Sequence, residues 1–325
     1  MCGIYGCLNF DNKIVDTKTL NDLSNGMIHR GPDNEGFLID KNFGFGMRRL
    51  SIIDLDGGNQ PIFNETKKLS IVFNGEIYNY KEIKDRLIQK GHVFQTKSDT
   101  EVIIHLFEEK GIDCVNDLNG EFSFAIWDKI KRQLYITRDR FGVKPLYWCL
   151  NKKSFYFSSD LLALNRIIGE EVSKTSILNY LIYSYVPAPQ SIFKNIFKLE
   201  PGHNLIIKNN KVEKRKYWNL NKKKINKSVT EIKNEIDYLL KDSIKLRLNS
   251  DVPVGIMRSG GIDSSTIALY ASKELDNISS YTIKYIDKEE KDSISGHFVA
   301  EKFKLNHNEY EFFSKNEISS IDEIL

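Results

Sequence analysis

The sequence predicts an α+β domain of antiparallel β-sheets with flanking helices, followed by an α/β domain with a parallel sheet. In residues 1–215, short β-type runs alternate with turn residues, and three helical stretches interrupt them. After a lysine-rich segment near residue 222, helical stretches alternate with apolar strand-like runs, which is typical of parallel strands. We therefore divide the chain into a domain of residues 1–215 and a domain of residues 216–325.

The elements of the first domain follow from local patterns. Helices are predicted where apolar residues recur at helical spacing, and strands where β-branched and aromatic residues lie between turn residues. Ser98 and Glu101 form a capping-box pattern, which predicts a helix start at Ser98. The predicted helices are 17–27, 80–90 and 99–110, and the predicted strands are 36–39, 69–73, 122–127, 133–137, 146–150 and 154–158.

The second domain has the order helix, strand, helix, strand, helix, strand. The predicted helices are 229–247, 262–275 and 293–304, and the predicted strands are 252–257, 280–286 and 309–313. Doubly wound parallel sheets usually have about five or more strands. We therefore expect this domain to be incomplete in residues 216–325.

Composition excludes several classes of protein. The 325 residues are 41% apolar and 28% charged, which is typical of a globular protein. The net charge is only +3 and no basic patch carries interleaved aromatic residues, so charge gives no support to nucleic-acid binding. No apolar run approaches the roughly 18 residues of a membrane helix and no signal peptide is recognisable, which predicts a cytoplasmic protein without a membrane partner.

The cysteines and histidines show no pattern of a zinc site or a disulfide framework. The sequence has no C-x-x-C pair, and its six histidines lack metal-binding or catalytic spacing. Cys7, Cys114 and Cys149 lie among apolar residues, which predicts that they pack in the core. Cys2 is different because it stands next to the initiator methionine.

Removal of Met1 would leave Cys2 with a free α-amine beside its thiol. The amine titrates near about 8 and the free thiol near about 8.5, so the amine can act as a built-in base for the nucleophile. A thiolate that attacks a primary amide forms a tetrahedral oxyanion, then a thioester and free ammonia. This chemistry needs further groups that hold the oxyanion and the substrate.

Other residues supply such groups. Asn74 and Gly75 follow the predicted strand 69–73 and offer an amide and a backbone N–H to an oxyanion. Arg49 has a guanidinium fork suited to an α-carboxylate, and Glu76 with Asp99 suits an α-ammonium. Together these groups match the needs of free glutamine as a substrate.

At this point the sequence resembles the class II, N-terminal-nucleophile glutamine amidotransferase domain, and most closely its asparagine synthase branch. The resemblance implies the N-terminal-nucleophile fold, with Cys2 as nucleophile and Asn74 and Gly75 as the oxyanion hole. The residues that it implies for glutamine binding are Arg49, Leu50, Ile53, Glu76 and Asp99. The segments that carry it are 1–4, 29–33, 48–54, 60–61, 73–79, 98–101 and 138–147.

A second motif spans residues 259–265, between an apolar strand and a helix. In this context glycine N–H groups and a helix N-terminus hold phosphate. The motif lacks the Gly-Lys-Ser/Thr of a Walker A loop and resembles the pyrophosphate loop of enzymes that cleave ATP to AMP and pyrophosphate. The resemblance implies a Mg²⁺ contact at Asp263 and ATP contacts at Met257, Ser259, Gly260, Gly261, Asp263, Ser264 and Ile283.

Two residues depart from the family pattern around this loop. Arg258 stands where an apolar residue is usual, and Lys284 stands where a glycine is usual. A buried arginine is costly, so we expect Arg258 to extend to solvent, to pair with phosphate or to disturb the site. Activity of the second domain therefore depends on how the chain accommodates these two residues.

The resulting hypothesis is a glutamine-dependent asparagine synthase that uses glutamine, ATP with Mg²⁺, and aspartate, with no organic prosthetic group. A homodimer is among the assemblies that we expect. One alternative is the same chemistry on another carboxylate or on a sugar acceptor. Two further alternatives are a truncated chain with glutaminase activity only and a degenerate regulatory protein that keeps the fold without turnover.

Overall fold

The computed structural model describes residues 1–151, 153–222, 224, 226–259, 261–286 and 291–313. The chain divides into two compact units, residues 1–222 and residues 223–325. We treat each unit separately. The division into functional domains at residues 215 and 216 stays a prediction.

The first unit contains two antiparallel sheets. Within the described residues each sheet has six strands, and every neighbouring pair of strands is antiparallel. In sheet order, the first consists of β10 (Ile196–Lys198), β8 (Tyr147–Asn151), β9 (Ser154–Ser158), β1 (Gly3–Asn9), β3 (Phe43–Arg49) and β2 (Asn34–Asp40). The second consists of β12 (Lys211–Lys216), β11 (His203–Lys208), β7 (Gln133–Arg138), β6 (Gly120–Asp128), β5 (Leu69–Ile77) and β4 (Ile62–Phe63).

Successive side chains along each strand point to opposite faces of the sheet, and the buried apolar side chains of the first unit form three separate cores. Ile4 contributes to the core that contains residues of both sheets, whereas its neighbour Tyr5 packs in the core beneath the helices of the first sheet. Phe43 of β3 and Trp127 of β6 stack with ring centroids 4.1 Å apart, which joins the two sheets. A third core lies between the second sheet and its helices. The unit is therefore a four-layer arrangement of helix, sheet, sheet and helix.

Helices cover the outer faces of both sheets. The first sheet packs against α1 (Thr17–Asn25) and α4 (Leu161–Ile168), and the second against α2 (Tyr80–Gln89) and α3 (Asp99–Lys110). A further helix, α5 (Lys174–Tyr183), follows α4. The predicted helices α1 to α3 are confirmed to within two residues, whereas α4 and α5 were missed because their periodicity was not recognised. The cysteines predicted to pack in the core are all buried.

Two local predictions need correction. The strand predicted to end at residue 73 continues to Ile77, because Asn74 pairs with Ser123 of β6 and the ladder runs on to Gly120. Ser98 does cap α3 by accepting a hydrogen bond from the Thr100 N–H, but Glu101 does not complete a capping box. Its carboxylate accepts hydrogen bonds from the backbone N–H groups of Gln95 and Thr96 instead.

The second unit has a parallel sheet, as predicted. Strands β13 (Gly255–Met257), β14 (Ser279–Tyr285) and β15 (Asn306–Phe312) lie in that order, and both neighbouring pairs are parallel. The helices are α6 (Val229–Arg247), α7 (Ile262–Glu274) and α8 (Lys291–Lys302). Within the described ranges, no helix of either unit is both long enough and apolar enough to cross a bilayer.

Candidate active site

A pocket in the first unit gathers every residue that the sequence assigned to glutamine hydrolysis. Strand β5, the segment after β3 and the start of α3 meet at the N-terminus of the chain. The predicted residues in its lining are Cys2, Arg49, Leu50, Ile53, Asn74, Gly75, Glu76 and Asp99. Lining residues without a predicted role are Met1, Ile52, Gly58, Gln60, Phe73, Ser98, Thr100 and Lys144.

Cys2 is partly buried, and its thiol lies against the backbone of Leu50. Its Sγ is 3.5 Å from the Leu50 carbonyl oxygen and 3.4 Å from the Leu50 nitrogen. Burial raises the pKa of the Cys2 thiol, although the Leu50 hydrogen bond and the positive N-terminus act in the opposite direction. The thiol therefore needs a base to become a nucleophile at neutral pH.

Asn74 presents a hydrogen-bond donor to this pocket. Its side chain is 2% exposed, and its Nδ2 has no hydrogen-bond partner within the described residues. Leaving a buried donor unsatisfied costs about 1–3 kcal/mol. An acceptor that forms in the pocket, such as an oxyanion, would satisfy it.

Gly75 lies where strands β5 and β6 of the second sheet approach closely. Its φ is +157°, and a Cβ at this position would lie 2.1 Å from the carbonyl oxygen of Glu121 and 2.7 Å from the Cα of Phe122. A side chain cannot be accommodated there without a shift of backbone. Glycine is therefore required by the packing of β5 on β6 as well as by any role in the pocket.

Replacing Gly75 by alanine is expected to destabilise the first unit by about 3 kcal/mol or more, because overpacking adds to backbone strain. Gly91→Ala is the matched control, since Gly91 also has a positive φ of +98° but no atom within 4 Å of its Cβ position. The free energy of unfolding, measured by denaturant titration, should fall further in Gly75→Ala. Equal losses in the two variants would contradict this explanation.

Asp99 is the first residue of α3, and its carboxylate is held inside the protein. Its Oδ2 accepts a hydrogen bond of 2.9 Å from the backbone N–H of Ile77. Burial raises the pKa of Asp99 to about 7, and the negative charge of Glu76 acts in the same direction. The folded chain thus holds this proton more tightly than the unfolded chain, so this contribution to stability is lost as the pH rises through about 7.

Arg49 is buried and organises the wall of the pocket. Its terminal nitrogens donate to the carbonyl oxygens of Ile53, Asp54 and Leu55 and to Oδ1 of Asn59, over 2.6 to 3.0 Å. The guanidinium therefore closes the loop of residues 53–59. Its predicted contact with an α-carboxylate requires that the substrate takes over some of these hydrogen bonds.

Gln60 is a pocket residue to which sequence reasoning gave no role. Its Oε1 accepts a hydrogen bond from the Phe73 N–H at 2.6 Å, and its Nε2 donates to Oγ1 of Thr100 at 3.2 Å. It thereby ties β5 to the start of α3. The available signal was only its place in the segment 60–61, one of those that carry the family resemblance.

The second unit brings together most of the predicted ATP residues. Gly261 caps α7, and the hydroxyl of Ser264 lies 3.4 Å from the Ser259 nitrogen and 3.2 Å from the Gly261 carbonyl oxygen. Asp263 is exposed in the first turn of α7, where a carboxylate fits a Mg²⁺ ion. Gly260 lies outside the described residues.

Two of the predicted ATP residues, Met257 and Ile283, line a separate apolar pocket at the sheet. Met257 and Ile283 are 68% and 48% exposed and belong to adjacent strands. They line this pocket together with Tyr281, Thr282, Tyr310 and Glu311. Exposed apolar side chains on parallel strands fit the flat face of a nucleobase, and the phosphate loop follows β13 directly.

The structure shows the surroundings of Lys284 and Arg258, the two residues that depart from the family pattern. The Lys284 ammonium lies 3.7 Å from a Glu309 carboxylate oxygen, so it is paired within the sheet. Arg258 does not extend to solvent, because it is only 4% exposed, and burial lowers the pKa of its guanidinium. Its backbone N–H donates to the Tyr281 carbonyl and continues the contact between β13 and β14.

Comparison with known proteins assigns each part of the chain to a family. Residues 1–218 match a glutamine amidotransferase domain family, and residues 235–325 match an asparagine synthase family. The putative asparagine synthetase [glutamine-hydrolyzing] 2 of Methanocaldococcus jannaschii is 37% identical over 99% of this chain and 67% of its own length. The chain belongs to the glutamine-hydrolysing asparagine synthetase family.

Other members of the family show a similar relationship. Asparagine synthetase [glutamine-hydrolyzing] 1 of Bacillus subtilis is 35% identical over 88% of this chain and 46% of its own. Asparagine synthetase B [glutamine-hydrolyzing] of Escherichia coli is 32% identical over 84% of this chain and 45% of its own. The chain thus spans about half the length of these two asparagine synthetases.

A solved structure confirms the predicted fold class. Glutamine phosphoribosylpyrophosphate amidotransferase from Bacillus subtilis, complexed with ADP and GMP, superposes with a TM-score of 0.52 at 17% identity. The match covers 94% of this chain and 65% of that one. At this identity the likeness concerns the fold alone.

Proposed function

We propose that this chain hydrolyses glutamine at Cys2 and supplies the ammonia for glutamine-dependent asparagine synthesis. The observation that carries the proposal is the buried Asn74 Nδ2, a donor without a partner in the described structure, in the same pocket as the Cys2 thiol. Such a donor stabilises charge that develops during the reaction rather than in the resting state. Glu76 and Asp99 add the negative charge that an α-ammonium needs.

In the proposed mechanism, removal of Met1 frees the Cys2 α-amine, which accepts the thiol proton. The thiolate attacks the carboxamide carbon of glutamine, and the Asn74 Nδ2 and the Gly75 N–H donate to the resulting oxyanion. The C–N bond then breaks as the amine returns the proton to the leaving nitrogen, which gives ammonia and a thioester. Water hydrolyses the thioester to glutamate and regenerates the thiol.

In the synthetase reaction proposed for the second unit, the aspartate side-chain carboxylate attacks the α-phosphorus of ATP, which releases pyrophosphate. Ammonia then displaces AMP from the β-aspartyl-adenylate to give asparagine. The start of α7 and the Ser259 and Ser264 hydroxyls suit the phosphates, and the pocket with Met257 and Ile283 suits the adenine. Asp263 would hold Mg²⁺, which neutralises phosphate charge.

The test is a product analysis on the purified chain after mass spectrometry has shown that Met1 is absent. Incubation with glutamine should release ammonia and glutamate in equal amounts, and no release would overturn the proposal for the first unit. Aspartate and ATP, added with either glutamine or free ammonia, then test the second unit through the formation of asparagine, AMP and pyrophosphate. Pyrophosphate formation that depends on another carboxylate instead of aspartate would identify a different acceptor.

Glutamine binding is expected to weaken as the pH falls below about 7. Burial raises the pKa of Asp99 to about 7, and only its ionised form attracts the α-ammonium of glutamine. The Kd, measured by calorimetry on the Cys2→Ala variant to avoid turnover, should rise by up to about tenfold per pH unit below that value. Thiol titration cannot contribute in this variant.

The double variant Cys2→Ala/Asp99→Asn is the control for this pH dependence. It should bind glutamine more weakly at about pH 8 and lose most of the change in Kd on acidification, because no carboxylate titrates at position 99. A Kd that is independent of pH in Cys2→Ala itself would contradict the assignment of Asp99. Cytoplasmic location, a homodimer and the Mg²⁺ contact stay predictions from the sequence.

A further inference from the structure

A cluster of two histidines and two glutamates lies in the first unit, among residues that the proposed reaction does not use. Glu65 lies in the turn between β4 and β5, His92 follows α2, and His105 and Glu108 are one turn apart on α3. One ligand atom from each of the four side chains lies within 4.8 Å of all the others. Three separate segments of the chain therefore converge here.

The spacing of these atoms suits a four-coordinate metal ion. The Nδ1 of His105 lies 3.0 Å from Glu108 Oε2 and 3.5 Å from Glu65 Oε2. The Nδ1 of His92 lies 3.7 Å from Glu108 Oε2 and 3.8 Å from Glu65 Oε1. Ligands at zinc distances of about 2.0–2.2 Å in a tetrahedron are about 3.3–3.6 Å apart. Small rotations of the side chains would bring all four into range.

Both histidines are oriented in the same way. Each turns Nδ1 toward the cluster and Nε2 toward an outer carboxylate, at 3.5 Å from Glu101 Oε1 for His105 and 3.3 Å from Glu109 Oε1 for His92. Metal-bound histidines usually donate their second N–H to a carboxylate, which leaves the inner nitrogen free to bind the metal. His92 makes this hydrogen bond to Glu109, whereas the His105 Nε2 lies near Glu101 without a hydrogen bond among the described residues.

The outer groups are themselves fixed. Glu101 accepts hydrogen bonds from Gln95 and Thr96, and Glu109 binds Lys90. The Asn64 amide donates to Oε1 of Glu108 at 2.7 Å, which orients that carboxylate. The inner four groups thus have the supporting contacts that hold metal ligands in place.

Charge in this region favours a cation. Four carboxylates surround two imidazoles, and among the described ion pairs of the cluster Lys90 compensates only Glu109. The cluster therefore attracts positive charge, supplied either by protons on the imidazoles or by a metal ion.

We propose that Glu65, His92, His105 and Glu108 form a structural zinc site. Two imidazole nitrogens and two carboxylate oxygens in a roughly tetrahedral arrangement suit Zn²⁺, whereas Mg²⁺ and Ca²⁺ prefer oxygen ligands alone. His105 is fully buried, and the other three side chains are 14–30% exposed, so an ion can enter from solvent. Neither the cysteine count nor histidine spacing along the chain predicted this site, because its ligands come from three segments.

The zinc ion would link the β4–β5 turn and the loop after α2 to helix α3. The same helix begins at Asp99 in the glutamine pocket. The ion would therefore stabilise the position of α3, and its effect is measurable without any enzymatic activity.

The experiment is titration of the metal-stripped full chain with Zn²⁺, followed by calorimetry, and with Co²⁺, whose visible absorption reports tetrahedral coordination. The wild-type chain should bind Zn²⁺ with a Kd below about 1 μM, and Zn²⁺ at about 100 times its Kd should raise the melting temperature by about 5–10 °C. His92→Gln and Glu65→Gln should each weaken Zn²⁺ binding by about 100-fold or more. Both side chains are partly exposed, so these variants should fold, as circular dichroism would show.

His307→Gln is the matched control, because His307 is similarly buried and belongs to a second histidine–glutamate group in the other unit. It should leave the cobalt spectrum and the zinc-dependent melting shift of the first unit unchanged. The proposal is overturned if the wild-type chain does not bind Zn²⁺, or if binding survives His92→Gln and Glu65→Gln but is lost in His307→Gln. Absence of zinc binding together with two protonated histidines in NMR spectra would show that protons fill the cluster instead.

Discussion

Replacement of Cys2 by alanine is expected to reduce the release of ammonia from glutamine by about 10⁴-fold or more, since no other group in the pocket can form the thioester. The fold should be retained, because Cys2 is partly exposed at the chain terminus and its Sγ contacts only the Leu50 backbone in the described hydrogen bonds. The free energy of unfolding should change by less than about 1 kcal/mol. Ammonia release and denaturant unfolding measure the two effects.

The second unit provides the control for Cys2→Ala. Asparagine formation from aspartate and ATP with added free ammonia should be as fast as in the wild-type chain, whereas formation with glutamine should be lost. Residual glutamine hydrolysis above about a tenth of the wild-type rate would mean that Cys2 is not the nucleophile. Loss of the ammonia-dependent reaction as well would indicate damage beyond the thiol.

Replacement of Asn74 by alanine is expected to lower kcat for glutamine hydrolysis by about 10²–10³. The buried Nδ2 has no partner among the described residues, so its hydrogen bond forms with the oxyanion and contributes mainly to the transition state. The KM for glutamine should change little. Steady-state kinetics with glutamine as the varied substrate separates the two parameters.

Asn74→Asp is the shape-matched control. It keeps the size of the side chain but replaces the Nδ2 donor by an acceptor, and its charge opposes the oxyanion, so kcat should fall at least as far as in Asn74→Ala. If Asn74→Ala raised only the KM, Asn74 would be a substrate-binding residue and the oxyanion hole would have to be assigned to other groups.

The sheet type of each unit followed from local patterns, whereas strands β1, β3, β4 and β10 to β12 and helices α4 and α5 were not predicted. Successive side chains along a strand, such as Ile4 and Tyr5, point to opposite faces of the sheet and so enter different cores. In the second unit, the order of strands and helices after residue 229 indicates a parallel sheet. Local patterns were less informative where a residue serves a distant partner. Glu101 has the spacing of a capping box but binds the Gln95 and Thr96 N–H groups, because those groups are also available in the folded chain.

In the candidate glutamine site, too, the sequence predicted the residue types but not the contacts that form on folding. The chemistry of Cys2 and the residue types at positions 49, 74, 76 and 99 predicted glutamine hydrolysis, and the longer matching segments predicted the family. The sequence could not show that the Arg49 guanidinium donates hydrogen bonds to the loop that follows it. These hydrogen bonds depend on how residues 53–59 fold back over Arg49.

Residue types and their periodicity are local properties, so the sequence alone predicted helices α1 to α3, the two sheet types and the nucleophile with its accompanying motifs. Burial and electrostatic environment depend on groups far apart in the chain. Three features therefore emerged only from the folded structure: the raised pKa of Asp99, the Asn74 Nδ2 without a hydrogen-bond partner among the described residues, and the convergence of His92 with His105. Each arises because folding removes water and brings charges together that the linear order keeps apart.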